Sequence, residues 1–384
     1  MPPNQPSRSR QLHYWSQLIP CKTVAAFSSS FQRRLSTSPA TFMHTFLAMR
    51  PERRSVAGPT RLLLIVAITM DAAACVMRQA PRASTGAPAD IAQLWIEPRD
   101  LERRDLFHGA GGAALAPNPS TPYDLVAIDD SGYSPGYDVR DKRGAEWSVK
   151  LGIEAQPEVV ASRVLWAIGY HQPPTYLLKD WKLTGKQVET PGVARFRLES
   201  GGYKVTDDWS WYENPFVSTQ PFKGLLVANL ILNNWDWKTS NNKVYDLSGR
   251  NGPRRVFVVR DLGASLGKTT FPQFLKWTPM RGMGQGSRND VDHFEEQGLI
   301  KKVEGQRVRF DYRGIHSGLV DTLIVGDVVW TCRLMSRISD RQWRDAFRAG
   351  GYTDAEQRRF ITKLKSKINE GLALSGRSAG LARN

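Results

Sequence analysis

Two hydrophobic periods alternate along this chain, and the switches between them mark its elements. Residues 123–129 alternate apolar and polar positions as a half-buried strand does, and a turn, Asp130-Ser131-Gly132-Tyr133-Ser134-Pro135-Gly136, follows. A second strand at 137–140, a tight turn at 141–144 and a third strand at 146–151 complete a predicted meander. Its glycine loop lies between strands one and two, and Lys150 lies on strand three. The period then changes to that of a helix over 157–169, with Pro157 at its start, Val160, Val164, Leu165 and Ile168 on one face, and Gly169 as its stop.

Residues 175–179 predict another strand, and 192–198 and 202–205 carry short strand patterns, expected as a hairpin inserted between two lobes. The densest pattern runs from Lys223 to Gly267. It holds an apolar helix (224–232), a polar loop containing Asp236, a strand (243–247), a turn at Ser248-Gly249-Arg250-Asn251-Gly252, and a strand (255–260) that ends on Asp261-Leu262-Gly263. Residues 264–298 have little periodicity and predict a long loop, from which Arg281, Arg288 and His293 could meet an anionic group. A strand at 308–312 and three helices follow: 320–337, 340–349, and one opened by the capping box Thr353-Asp354-Ala355-Glu356 and running to about Leu372.

Composition changes this picture in three places. The 384 residues, 41% of them hydrophobic, are enough for a sizeable core. The formal charge of +16 suggests nucleic acid at first sight, but residues 1–74 hold nine Lys or Arg against two acids, so seven of those charges lie in the leader. The rest are scattered, without the basic and aromatic interleaving of a base-stacking surface, which argues against nucleic acid and suits an anionic substrate. Cys21, Cys75 and Cys332 form no Cys-x-x-Cys pair, so neither a zinc site nor a disulfide framework is indicated.

The leader has its own organisation. Residues 1–48 are rich in Ser, Arg, Pro and Gln and are expected to be disordered or untranslated, with Met43 or Met49 as an alternative start. From Met49 a basic segment, an apolar run at 62–70 and Ala72-Ala73-Ala74 before Cys75 resemble a bacterial lipoprotein signal. That resemblance implies an exported, envelope or periplasmic protein, lipid-anchored through Cys75; an unlipidated export signal and a cytoplasmic protein are the alternatives. A glycine cluster, His108-Gly109-Ala110-Gly111-Gly112, lacks the order of a phosphate loop and reads as a mobile connection.

The chemistry-bearing residues fall in one order. Phosphoryl transfer needs a carboxylate to orient the attacking hydroxyl, an amide oxygen on one metal ion, and a second carboxylate on the metal that bridges the phosphates. Asp236, Asn241 and Asp261 supply these: Asp236 and Asn241 have the Asp-x-x-x-x-Asn spacing of a kinase catalytic loop, and Asp261-Leu262-Gly263 stands where Asp-Phe-Gly would. Asn234-Trp235 replaces the His-Arg of ordinary protein kinases. The chain therefore resembles the atypical branch of the kinase superfamily, with the HipA-type kinases, the spore-coat CotH kinases and the phosphatidylinositol kinases.

The resemblance implies an α+β, two-lobed protein-kinase-like fold with a small β-rich N-lobe and a helical C-lobe, and an activity dependent on ATP and Mg²⁺ toward an unnamed acceptor. It implies that Asp236 positions the acceptor hydroxyl and that Asn241 and Asp261 bind metal. Lys150 would contact the phosphates, Glu158 rather than Glu154 would orient Lys150, and Ser131, Gly132, Ser134 and Gly136 would cover the nucleotide. The resulting division is leader (1–48), signal-like segment (49–75), linker and N-terminal extension (76–121), N-lobe (122–179), inserted hairpin (180–213), C-lobe (214–372) and disordered tail (373–384). Two other readings use the same residues: a membrane-anchored pseudokinase that binds or scaffolds without catalysis, and an unrelated α+β envelope protein in which Asp and Asn only form turns.

Overall fold

The meander predicted at 123–151 forms as β1 (Pro122–Asp129), β2 (Gly136–Arg140) and β3 (Glu146–Leu151), joined antiparallel in order. The computed structural model describes residues 89–129, 134–185, 192–247, 254–269, 286–312 and 314–376. The leader, the signal-like segment with Cys75, Ser131, Gly132 and Arg281 lie outside them. The meander is the centre of a larger sheet that adds β4 (Thr175–Leu178), β5 (Lys182–Thr184) and β6 (Ala194–Leu198), in the order β4-β6-β3-β2-β1-β5. Only the β1–β5 pair in this sheet is parallel.

Side chains alternate between the two faces of a strand. One face of this sheet buries Tyr123, Val139, Trp147, Val149, Trp181 and Phe196 in an aromatic core. The other face carries Lys150, Arg195 and Arg197, and it too is covered: Arg195 is 1% exposed and Arg197 6%. Its cover is α1 (Ala155–Ala167), a helix buried almost all round, which ends where Gly169 takes a φ of 103°.

The hairpin expected at 180–213 does not form. Instead β6 pairs with β3 and β4, while β7 (Lys204–Asp208) pairs with β8 (Asn242–Asp246), which in turn pairs with β9 (Arg255–Val259). Composition explains the split: Ala194, Phe196 and Leu198 complete the aromatic core, whereas Lys-Val-Thr-Asp-Asp of β7 suits a solvated edge.

The second lobe is built round α2 (Gln220–Ile231), opened by the Thr219 cap and Pro221. From Gly224 to Ile231 it is apolar save for Asn229, and every one of those residues is buried. Around it lie α3 (Val291–Glu296), a small hairpin of β10 (Ile300–Glu304) and β11 (Arg307–Phe310), α4 (Ser317–Val320), α5 (Val325–Ser336), α6 (Asp340–Ala349) and α7 (Asp354–Leu372). The capping boxes Ser339/Gln342 and Thr353/Glu356 start the last two helices, as their sequences require. The single helix expected at 320–337 is broken, because Ile324 is extended, its N–H donates to the Asp327 carboxylate at 3.0 Å, and Val308 takes the Leu323 carbonyl at 3.1 Å. Strand β10, with its Lys301-Lys302 pair, has too few apolar positions to be read from the sequence.

Two further expectations change. Residues 89–121 are no linker, since Leu94, Leu101 and Leu106 enter the helical core. The glycine cluster at 109–112 is packed: Gly109 lies against Arg163 of α1 and Gly111 against Tyr176 of β4, with no room for a Cβ at either. The architecture is α+β, a β-rich lobe beside a helical one. Among the described residues, no helix is long and apolar enough to cross a membrane.

Candidate active site

The strand alternation that sends Trp147 and Val149 into the aromatic core sends Lys150 to the opposite face, where its neighbours across the ladder are Gly136 on β2 and Arg195 on β6. There it meets acids from two directions. From α1 and the turn before it come Glu158 and Glu154, with Oε2 of each 3.5 Å from the Lys150 ammonium. From the end of β9 comes Asp261, whose Oδ1 accepts a short hydrogen bond from Lys150. The sequence reading preferred Glu158 to Glu154 as the partner of Lys150; the fold brings both.

Each glutamate is committed elsewhere as well. Glu158 Oε1 lies 3.0 Å from Arg195 Nε and 3.3 Å from an Arg197 nitrogen. Burial pushes the Glu158 carboxyl up, but Arg195, Lys150 and Arg197 outweigh it and hold the group at about 2. Burial lowers the Lys150 ammonium, opposed in part by Glu158 and Glu154. Glu154 accepts from Arg288 at 2.7 Å and from the Ser134 hydroxyl at 2.9 Å. The chain of charges continues from Arg197 to Glu199 at 2.7 Å and on to Arg260 at 3.3 Å, which also donates to the Tyr245 hydroxyl at 3.0 Å.

The Asp236 loop is shaped from below by α2. Asn229 in that helix accepts at 2.8 Å from the side chain of Asn234, whose own oxygen accepts from the Asp236 N–H at 3.3 Å. Asn241 closes the loop by donating to the Asp236 carbonyl at 3.0 Å, which leaves its amide oxygen outside that bond. The β8–β9 register pairs Asn242 with Val259, and the Arg260 N–H donates to the Asn241 carbonyl at 3.1 Å. Asn241 thus sits at the same hairpin end as Asp261. The Asp236 carboxylate lies 3.0 Å from Lys238 Nζ, and His316 fastens the loop from outside through the Trp237 carbonyl at 2.9 Å. Asp261 holds a left-handed conformation, φ 59° and ψ 49°, rare for any residue but glycine, asparagine or aspartate.

A solved kinase is similar to this chain in outline. The crystal structure of the Helicobacter pylori proinflammatory kinase CtkA matches 67% of this chain and 98% of its own length, at 12% identity and a TM-score of 0.41. Likeness at that level transfers neither residue roles nor activity. No family model matches the chain, and no curated protein matches it.

Of the residues predicted for the site, Lys150 meets both Glu158 and Asp261, and Asn241 adjoins Asp261 through the hairpin. Asp236 shares Asn241's loop, but its carboxylate faces Lys238. Ser134 turns to Glu154, and Gly136 lies in the β2–β3 ladder, where a Cβ would stand 2.8 Å from the Val149 carbonyl. Arg288, expected to face an anion, is 7% exposed, bound to Glu154 and stacked over Trp235 with its guanidinium 4.8 Å from the ring centroid. His293 stays at the surface beside Asp290, 3.0 Å away. Sequence reasoning missed Arg195, Arg197, Lys238, Asn229 and His316. The signal for the two arginines was present, since Arg-Phe-Arg inside an otherwise apolar strand demands buried counter-charges.

Proposed function

We propose that this chain is an ATP-dependent phosphotransferase of the atypical kinase type. The observation that carries the reading is the meeting of Lys150, Glu158 and Asp261, from three separate elements, with Asn241 at the adjoining hairpin end. Such a set suits a polyphosphate: an ammonium kept in place by a buried carboxylate, beside hard oxygen donors for a divalent cation.

The donors fit Mg²⁺. Asp261 has a side chain 36% exposed, and the Asn241 amide oxygen is left over once its nitrogen has bonded the loop. Mg²⁺ keeps several waters and takes one or two carboxylates plus phosphate oxygens, so no denser acidic cluster is called for. Bound there, the metal would neutralise charge on the phosphate oxygens. The chain's own residues would do the rest: Lys150 would bind phosphate oxygens once released by Asp261, Glu158 would orient Lys150, and Asp236 would accept the proton of the acceptor hydroxyl. Lys238, already 3.0 Å from that carboxylate, would hold it in place.

One observation favours a second reading, a pseudokinase that binds without catalysis. Both candidate carboxylates already carry internal partners, Asp261 with Lys150 and Asp236 with Lys238. Anchoring at an envelope membrane through a lipidated Cys75 would agree with it, since an exported domain meets little ATP.

Thermal unfolding of the full chain with and without Mg-ATP, alongside Asp261→Ala, tests the proposal. Nucleotide at 100 times its dissociation constant should stabilise the fold by about 2.7 kcal/mol, with the shift lost in the variant. No shift in the unaltered chain would overturn the nucleotide site.

A further inference from the structure

We infer that Arg195 and Arg197 are positioning residues that hold Glu158 still, so that Lys150 is the member of the cluster free to change partner. The inference rests on the phosphotransferase reading, and it assigns a role that neither the predicted motif nor its spacing contains.

Three observations carry it. First, the two guanidiniums converge on one oxygen: Glu158 Oε1 lies 3.0 Å from Arg195 and 3.3 Å from Arg197, and all three side chains are buried. Second, Glu158 Oε2 is buried without a hydrogen bond and stands 3.5 Å from Lys150 Nζ. An ionised carboxylate is tolerated at such a place only when well paired. The single ammonium is shared with Asp261 and Glu154, so Arg195 and Arg197 supply the rest of the pairing. Third, Lys150 makes its close bond to Asp261, an acid with a side chain 36% exposed.

The ammonium therefore stands between a fixed acid behind it and an accessible one in front. When a divalent cation or a phosphate draws Asp261 away, Glu158 still presents Oε2 at the same spot, and Lys150 can turn to the incoming oxygens without losing its orientation. The arginines also keep Glu158 from taking Lys150 for itself. Both arise from β6, so the ladder that places the Lys150 backbone also places theirs.

The groups facing Lys150 set the sign of a test. They are Glu154 and Glu158 from α1 and its leading turn, Asp261 after β9, Arg195 beside it on β6, and Arg197 behind Glu158; Ser134 is neutral, and Arg288 lies across Glu154. The rate at which an activated acyl ester labels Lys150 would be followed at one fixed pH on the intact chain by peptide mass spectrometry. Arg195→Met releases Glu158 toward Lys150, so labelling should slow about tenfold, and the slowing should be largely lost when Glu158→Gln is combined with it. Arg195→Lys keeps the charge and should stay near the unaltered chain, while Glu158→Gln alone should speed labelling.

A slowing in Arg195→Met that persists unchanged beside Glu158→Gln would be the direct effect of the lost cation and would overturn the inference, as would no slowing at all. Should Arg195→Met fail to unfold cooperatively, Arg197→Met gives the same readout with the same sign. Nucleotide binding is scored separately. If the unaltered chain shows no Mg-ATP shift, the phosphotransferase reading falls, while the Lys150 labelling rates still decide whether the arginines position Glu158. If it does show one, Arg195→Met should weaken apparent nucleotide affinity about tenfold and Arg195→Lys should restore it, a split that lost packing alone would not produce.

Discussion

Lys150 on β3 donates a hydrogen bond to Asp261, 111 residues later, and so ties the sheet lobe to the hairpin that carries the Asn241 loop. The contact crosses between lobes, and under the proposed function one of its partners would let go before phosphate or metal entered. Lys150→Met removes that contact and the ammonium together. The variant should fold, because Glu158 retains Arg195 and Arg197, yet the stabilisation by Mg-ATP should vanish in calorimetry. Any phosphotransfer should drop roughly 10²- to 10³-fold, the loss typical of removing one preorganised electrostatic group.

Under the proposed function, Asp236→Asn would separate catalysis from binding. Its backbone bonds to Asn234 and Asn241 survive the change, so nucleotide affinity by titration calorimetry should stay as it was. Transfer to an acceptor should fall about 10²- to 10⁴-fold, as expected for a lost proton acceptor. Equal loss of binding and transfer would make Asp236 a structural turn residue.

Glu158 gives stability a pH dependence whose sign is fixed. Its carboxyl titrates near 2 in the fold against an ordinary 4.5, so the unfolded chain takes up the proton first as pH falls. The stabilisation is whole above about 4.5 and is lost on the way down to about 2. Glu158→Gln should remove that slope from acid denaturation curves. At neutral pH it should destabilise the chain by about 3–5 kcal/mol, since buried Arg195 loses its carboxylate while Arg197 keeps Glu199.

Asp261 occupies left-handed backbone at φ 59°, which favours glycine. Asp261→Gly should therefore exceed Asp261→Ala in urea-denaturation stability by about 1 kcal/mol, although both lack the carboxylate. Equal stabilities would mean that the local backbone relaxes in the alanine variant.

Gly263 stands two residues on, where a Cβ would lie 2.5 Å from the Glu154 Cβ and 3.0 Å from its carbonyl. Gly263→Ala should push the start of α1 away from the hairpin and cost about 1–3 kcal/mol, the usual range for overpacking. Lys150 lies within reach of both segments, so its acylation rate should change too. An unaltered rate and stability would show that α1 can shift freely.

The periodic parts of this fold were legible. Alternation at 122–151, the apolar run of α2 and the Thr353 capping box each state a local rule, and each element formed within a few residues of its expected bounds. Strand pairing was not legible, because nothing in residues 194–198 or 204–208 says which sheet each joins; that is decided by which core lacks side chains. The order of Lys150, Glu158, Asp236, Asn241 and Asp261 could be read from spacing. The counter-charges could not, since Glu158 and Arg195 are 37 positions apart and their meeting depends on β6 entering between β3 and β4.

The same alternation along β6 governs how the chain can misfold. A slip of one residue against β3 would carry Arg195 and Arg197 into the layer of Trp147 and Trp181 and leave Phe196 facing Glu158. Such a pairing strands two guanidiniums and a carboxylate at once, each at a cost of several kcal/mol. Aromatic side chains alone would tolerate neighbouring registers, because they pack in many ways. The buried charges reject them, and so act as an alignment key while the sheet assembles.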